Sequence, residues 1–383
     1  MQSIRKFVAP EIVFGDGALE LLGRYAANFG ANRVFVVTDP GMVSVGLVDK
    51  AVHILRSAGV EARVYDRVSS NPRDHEVMRG VAAYHQAGCD VIVALGGGSP
   101  MDCAKGISVV SVNGSNILDF EGIDKVRDPG PPLICIPTTA GSSADVSQFA
   151  IVTNAGSQVK IAIISKSVVP DVALIDPSTT LTMDRNLTLC TGIDALVHAI
   201  EAYVSSASSD LTDLHALEAI RLLHRYLPEV VERLDDLWLR GRIMLASLEA
   251  GLAFSNASLG AVHAMAHSLG GLLDLPHGEC NGLLLDHVVA FNYSALPERY
   301  DRIGEIFGAR LSGLTAQEKQ QSVVESLQTF KAQLGFQPGL GKRGVSREDL
   351  RLLARKAIAD PCMATNPRRA QLADIEAIYQ EAF

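Results

Sequence analysis

Short apolar runs alternate with amphipathic stretches over the first half of the chain. VFVVT (34–38), ARVYD (62–66), VIVALG (91–96), LICIPTT (133–139) and VALIDP (172–177) are runs rich in β-branched residues that read as strands. Between the first three lie GLVDKAVHILRSAG and HEVMRGVAAYHQAG, and MDCAKGISVV follows the third, each with helical spacing of apolar residues. Nearly continuous apolar strands separated by helices predict a parallel sheet covered on both faces. FAIVTN (149–154) and QVKIAIIS (158–165) flank a short Asn-Ala-Gly-Ser turn, which predicts a β-hairpin added antiparallel to that sheet.

From about residue 186 the pattern changes to helical spacing alone, with helices expected over 190–204, 210–233, 238–253, 258–273, 281–294, 298–308, 315–334, 346–358 and 370–382. The change predicts an α/β domain over 1–183 and an all-helical domain over 184–383, sharing a cleft. Neither an internal repeat nor a low-complexity linker interrupts the 383 residues, and that length suits more than one core.

Composition narrows the function classes. Asp and Glu outnumber Lys and Arg, 43 to 34, and no basic stripe exists to neutralise phosphates, so no nucleic-acid partner is expected. No secretory pattern occupies the amino terminus, and no uninterrupted apolar run suggests a bilayer span, so no membrane association is expected. The six cysteines are scattered without a Cys-x-x-Cys pair, which fits a reduced, cytoplasmic setting. Cys103, just after a glycine turn, reads as a small packing residue.

Candidate chemistry clusters between Gly192 and His277. Asp194 and His198 are four apart on an expected helix, so they share a face; His263 and His267 repeat that spacing on a second helix, and His277 follows a proline turn. Asp194, His198, His263 and His277 make a candidate ligand set of three imidazoles and one carboxylate, suited to Fe(II) or Zn(II) with room for a substrate oxygen. Taken singly, a histidine on an apolar helix is more often a satisfied core residue. Two pairs and a His-Gly turn in one region shift the balance.

A second group lies at strand ends. Gly96-Gly97-Gly98-Ser99-Pro100 follows a buried strand and opens a helix, where bare backbone N–H groups attract phosphate. Met101 breaks the Gly-x-Gly-x-x-Gly pattern, and no Gly-Lys-Ser/Thr follows. Asp39 ends another strand, where a carboxylate accepts from ribose hydroxyls and repels a 2′-phosphate, favouring NAD over NADP; a turn aspartate in Asp-Pro-Gly is the plainer reading. Thr138 and Thr139 open a third loop rich in hydroxyls and glycine, and Lys160 breaks an apolar strand either as an edge lysine or as a cofactor contact.

These segments together resemble the iron-dependent (group III) alcohol dehydrogenase family along the whole chain. The resemblance rests on GGGSPMDCAK, IPTTAGSSADVSQFAIV, PDVALIDP, TGIDALVHAIEAYVS, GAVHAMAHSLGG, PHGECN and DPCMATNPR. It implies a dehydroquinate synthase-like fold, with a doubly wound, Rossmann-like amino-terminal domain, a helical carboxy-terminal domain, and NAD held beside a metal. It sets Asp194, His198, His263 and His277 on the metal ligands and His267 beside the nicotinamide. It sets Asp39, Asn71, Gly97, Gly98, Ser99, Thr138, Thr139, Ser147, Phe149, Lys160 and Met183 on cofactor-contacting positions. The family's TTAGTGSEVT is TTAGSSADVS here, so Ser143, Ala144 and Asp145 replace Gly, Ser and Glu.

The activity implied is interconversion of a short primary alcohol or diol and its aldehyde, with a pocket near Phe254, His267 and Cys362 and assembly as a homodimer or larger. A dehydroquinate synthase-like lyase-cyclase is the main alternative, disfavoured by few basic residues between 190 and 280. A maleylacetate reductase would lack the ligands, and an idle structural member would have no need of them.

Overall fold

The computed structural model describes residues 4–383 apart from 158, 274 and 338. The chain divides into two compact units, Phe7–Met183 and the remainder from Asp184 to Phe383, the latter taking in the described residues before Phe7.

In the first unit the strands are β1 (Glu11–Phe14), β2 (Arg33–Val37), β3 (Glu61–Tyr65), β4 (Val91–Gly96), β5 (Gly122–Ile123), β6 (Leu133–Pro137), β7 (Phe149–Asn154), β8 (Val159–Ile164) and β9 (Val172–Ile175). The helices are α1 (Leu22–Asn28), α2 (Pro40–Ser44), α3 (Leu47–Ser57), α4 (Asp74–Ala87) and α5 (Gly98–Asn113). Six strands form one sheet in the order β1-β9-β6-β4-β2-β3, and all its pairs are parallel. Alternation along each strand builds two cores. Val34 and Val36 of β2 pack in one with Leu19, Leu22 and Leu55, while Phe35 and Val37 pack in the other with Val77, Met101 and Ile107. Both faces are dry, which is why the strands read as unbroken apolar runs.

The strand order reverses between β2 and β4. Such a switch point opens a crevice at the carboxyl ends of the strands. Here those ends are Thr38-Asp39 and Gly96-Gly97.

Two features differ from expectation. The hairpin β7–β8 forms, but it does not join the main sheet; with β5 it makes a separate three-stranded sheet. Helix α5 begins inside the glycine run, at Gly98, so Gly96 closes β4, Gly97 alone is the junction, and Gly98 and Ser99 lie in the first helical turn.

The second unit holds α6 (Arg185–Val204), α7 (Asp210–Val230), α8 (Leu237–Ala257), α9 (Ala261–Leu273), α10 (His277–Asn292), α11 (Pro297–Ile306), α12 (Ala316–Gln333), α13 (Leu350–Ile358) and α14 (Leu372–Glu381). Central to it is α6, buried at every position from Ile193 to Val204. By length and composition alone it could cross a bilayer, but 89% of its apolar window is buried inside the fold. Its polar exceptions, Asp194, His198 and Glu201, share one face at the i, i+4, i+7 spacing. A core helix explains the apolarity.

Helix α10 is pinned to α12 by a buried pair. Lys331 Nζ donates to Asp286 Oδ1 and, at 2.8 Å, to the Gly282 carbonyl, while Gln328 Nε2 donates to Asp286 Oδ2 at 2.9 Å. Both charged side chains are almost wholly enclosed, 8% and 4% exposed. Removing one partner strands the other charge out of water, at a cost of about 3–5 kcal/mol. Lys331→Met is therefore expected to lower the unfolding free energy by roughly that amount, read as a shift in the urea midpoint. An unchanged midpoint would mean that Asp286 is satisfied without the lysine.

Candidate metal centre and cofactor loops

The α6 face carrying Asp194 and His198 meets the first turns of α9 and α10. Asp194 Oδ1 lies 3.9 Å from His198 Nε2, 3.7 Å from His263 Nε2 and 3.8 Å from His277 Nε2. The donor atoms of Asp194, His263 and His277 lie within 4.8 Å of one another. His198 faces the same oxygen and is held by stacking, with its ring centroid 4.2 Å from Phe254 and 4.5 Å from His263.

Each position has a local cause. His277 heads α10 instead of preceding it, because Pro276 ends the incoming loop. The next residue must be glycine: a Cβ at Gly278 would sit 1.9 Å from the Cys190 carbonyl oxygen on α6. That close crossing brings His277 to Asp194. His263 lies in the first turn of α9, whose amino end is held by Glu201. Glu201 accepts from the N–H groups of Gly260 (3.0 Å), Val262 (2.6 Å) and His263 (3.3 Å), and it lies 2.7 Å from His263 Nδ1.

Electrostatics follow from these neighbours. Burial opposes ionisation of Asp194, but His198, His277 and His263 hold its carboxyl far below the usual range. Burial would lower the pKa of His263, yet the carboxylates of Asp194 and Glu201 beside it push it up to about 9. The cluster as a whole attracts positive charge.

Asn281, one turn beyond His277 and fully buried, was not singled out in the sequence. Its Nδ2 lies 2.7 Å from Asp194 Oδ1, 3.3 Å from His263 Nε2 and 3.4 Å from His277 Nε2. One amide nitrogen thus faces a carboxylate oxygen and two imidazole nitrogens that converge on the same point. Ligands on a tetrahedral centre with 2.1 Å bonds stand about 3.4 Å apart. The observed 3.7–3.9 Å from Asp194 to the imidazoles is close to that, while the 4.8 Å span of the Asp194, His263 and His277 atoms must contract and His198 must draw in to join them. The residues fit a divalent cation.

His267, one turn after His263, lies apart from that donor set. Its Nδ1 is 2.8 Å from Asp360 Oδ2, and its ring stacks on His277 at 5.2 Å. Asp360 Oδ1 accepts from the Cys362 N–H at 2.8 Å. Burial raises the Asp360 pKa, but His267 outweighs it and holds the carboxyl at about 2. Burial pushes the Cys362 thiol far up, so the His267–Asp360 pair sits beside a thiol that stays protonated.

In the first unit Asp39, Gly97, Thr138 and Thr139 follow the carboxyl ends of β2, β4 and β6. Asp39 caps α2, its Oδ1 accepting from Gly41 N at 2.8 Å and Met42 N at 3.1 Å, while Oδ2 lies 3.2 Å from where a Cβ on Gly96 would stand. Ser99 Oγ accepts from the N–H of Asn71, a residue at φ 55°. Thr138 N–H donates to the Gly96 carbonyl at 2.9 Å, and Thr139 Oγ1 lies 3.2 Å from a Cβ built on Gly97. The buried hydroxyls of Thr38 and Thr138 have no hydrogen-bond partner among the described residues. Hydroxyls left in that condition beside bare helix N–H groups fit a phosphate- and ribose-bearing cofactor.

Ser147 and Phe149 are held from beneath by Lys105, which the sequence reading passed over. Its Nζ donates to Ser147 O (2.9 Å), Ser147 Oγ (3.2 Å) and Phe149 O (2.7 Å). In the intervening loop, Ser143 sits at φ 50°, a conformation that favours the glycine of the family pattern. Asp145 is buried, which pushes its carboxyl up to about 6 against the pull of Lys105. Lys160 lies opposite Thr153 in the hairpin, and Met183 closes the unit with its N–H on Thr180 O at 3.1 Å.

The class that emerges is that of oxidoreductases built on the dehydroquinate synthase-like fold. Residues 9–177 match the description "Iron-containing alcohol dehydrogenase", and residues 188–383 match "Fe-containing alcohol dehydrogenase family, C-terminal". The chain belongs to the iron-containing alcohol dehydrogenase family. It is 37% identical over 380 residues to the 1,3-propanediol dehydrogenase of Klebsiella pneumoniae, covering 98% of each. To the NAD-dependent methanol dehydrogenase of Bacillus methanolicus it is 36% identical, covering 98% of this chain and 99% of that one. A crystal structure of 1,3-propanediol oxidoreductase superposes with a TM-score of 0.96 at 37% identity, over the full length of both chains.

The crossing at Gly278 generates a test. Gly278→Ala is expected to push the start of α10 away from α6 and weaken divalent-cation binding about tenfold or more, the scale of displaced supporting contacts. Titration with Co(II) or Zn(II) measures it; wild-type affinity would show that the crossing does not set His277.

Proposed function

We propose that this protein interconverts a short primary alcohol or diol and its aldehyde, using NAD(H) and a divalent metal. The observation that carries the reading is the convergence of three imidazole Nε2 atoms on one buried carboxylate oxygen, Asp194 Oδ1. Phe7–Met183 serves as the NAD-binding domain, and Asp184–Phe383 binds metal and substrate. Asp194, His198, His263 and His277 hold the cation, Fe(II) by family, with Zn(II) accepted by the same donors.

When bound, the cation supplies Lewis-acid chemistry that lowers the pKa of a hydroxyl by several units, and the nicotinamide supplies the hydride acceptor. The chain's own residues supply orientation and proton handling. In the oxidation direction the alcohol loses a hydride from carbon and a proton from oxygen. His267 Nε2 takes that proton, with the ring held in orientation by Asp360 at Nδ1. In reduction the same nitrogen returns it. Phe254, packed flat on His198, keeps an apolar wall beside the ligands. Asp39 accepts from ribose hydroxyls, while Gly97, Gly98, Ser99, Asn71, Thr138, Thr139, Ser147, Phe149, Lys160 and Met183 form the rest of the NAD site.

A cytoplasmic setting accords with six cysteines that are all free thiols. Assembly as a homodimer or larger accords with β1, which ends the sheet with an open edge. The matched relatives carry dehydrogenase and reductase names, and neither a lyase-cyclase nor an idle member is favoured.

The deciding experiment follows NADH oxidation with a panel of short aldehydes, before and after chelation, with Fe(II) or Zn(II) restored. Activity should vanish on chelation and return with one metal. His263→Ala or His277→Ala should lose metal and lower turnover on the order of 1,000-fold or more, with NAD binding largely retained. Wild-type turnover in either variant would remove the metal mechanism.

Asp39→Gly is expected to raise NADP use while costing only a few tenths of a kcal/mol in stability, since glycine also serves as a helix cap. An unchanged NAD/NADP preference would leave Asp39 as a capping residue alone.

A further inference from the structure

Glu201 is the most heavily engaged buried carboxylate of the second unit that the mechanism above leaves unused. It is 4% exposed and lies on the same face of α6 as Asp194 and His198. Both of its oxygens face donors: Oε1 takes Val262 N–H, and Oε2 takes the N–H groups of Gly260 and His263. His263 Nδ1, 2.7 Å from Oε2, therefore meets an acceptor only, and it must carry the ring hydrogen. In an imidazole with one hydrogen, a proton on Nδ1 leaves the lone pair on Nε2, and Nε2 is the atom facing Asp194.

The close approach is built into the backbone. A Cβ at Gly260 would stand 2.9 Å from Glu201 Oε1 and 3.0 Å from Asn366 Oδ1, so any other residue there would push the carboxylate off the end of α9. Asn366 Oδ1 takes the remaining N–H of that turn, Ala261, at 3.1 Å. Two side chains thus cap one helix, but only Glu201 also touches the imidazole.

We propose that Glu201 is a positioning residue for the metal centre: it fixes the tautomer and the ring plane of His263 while capping the helix that carries it. This rests on the metal-centre reading given above. One face of α6 then supplies two ligands and the orientation of a third, so their relative geometry is set by a single helix. A charged partner on Nδ1 also makes Nε2 a stronger donor to a cation.

The test uses Glu201→Gln in the full chain, with Co(II) as the metal. If the new amide nitrogen takes the Oε2 position, it donates to Nδ1 and forces the ring hydrogen onto Nε2. If it takes the Oε1 position, it confronts the Val262 N–H, and only a neutral oxygen remains for His263. Either way Co(II) affinity, read by competition with a chromogenic chelator, should fall about 10- to 100-fold, and the Co(II) absorption bands should shift.

Asn366→Ala serves as the control for capping alone. It should lower thermal stability while leaving Co(II) affinity within about twofold of wild type, the change expected where no supporting contact to a ligand is lost. Wild-type affinity and bands in Glu201→Gln would overturn the proposal, as would an equal loss of affinity in Asn366→Ala. Should Glu201→Gln fail to fold, histidine-selective 15N spectra of the wild-type zinc protein decide: a strongly deshielded Nδ1 proton on His263 is expected, and metal on Nδ1 would overturn the proposal. A wild-type protein that binds neither Co(II) nor Zn(II) would instead fail the metal-centre reading itself.

Discussion

The second unit is organised around one constraint: a carboxylate sealed inside a helical core must be surrounded by groups that favour its charge. Asp194 lies on a helix whose other faces are apolar, and burial alone would neutralise it. Three imidazoles from three helices and the Asn281 amide meet it. Each of those groups arrives through a packing solution with its own cost. The Gly278 crossing, the Glu201 cap and the Lys331–Asp286 pair each fix the course of α9 or α10. A polar centre of this kind is held in place by the accuracy of the apolar packing around it.

The first unit applies a different rule to the same end. Its central strands β2, β4, β6 and β9 are buried on both faces, so their side chains are used up in the two cores and polar groups collect in the loops at their carboxyl ends. The reversal of order between β2 and β4 sets Asp39 beside the glycine turn, and the neighbouring β6 adds Thr138 and Thr139. Backbone groups and short hydroxyls dominate there.

Legibility from sequence tracked locality. Strands β2, β4, β6 and β9 were plain because five or so consecutive buried aliphatics have few other readings. Strand β1, with four residues of mixed exposure, and β5, with two, carried no such signal. The apolar spacing predicts a start of α9 at 258, whereas Ser258 at φ 61° and Gly260 hold the chain out of the helix until Ala261. Spacing within one helix made Asp194 with His198, and His263 with His267, readable as pairs. It could not reveal Glu201, Asn281, Asp360 or Lys105, whose partners come from other elements and whose neighbours in sequence look like ordinary helix.

Lys105 also bears on how such a loop can change over time. Two of its three acceptors are backbone carbonyls, Ser147 O and Phe149 O, which every amino acid provides. The anchor beneath the loop is therefore indifferent to the side chains above it. Residues 142–145 can drift from Thr-Gly-Ser-Glu to Ser-Ser-Ala-Asp, accepting a strained Ser143, without the loop coming adrift from α5. Fastening by main chain leaves side chains available to selection, so a lineage can vary its loop while inheriting the frame that carries it.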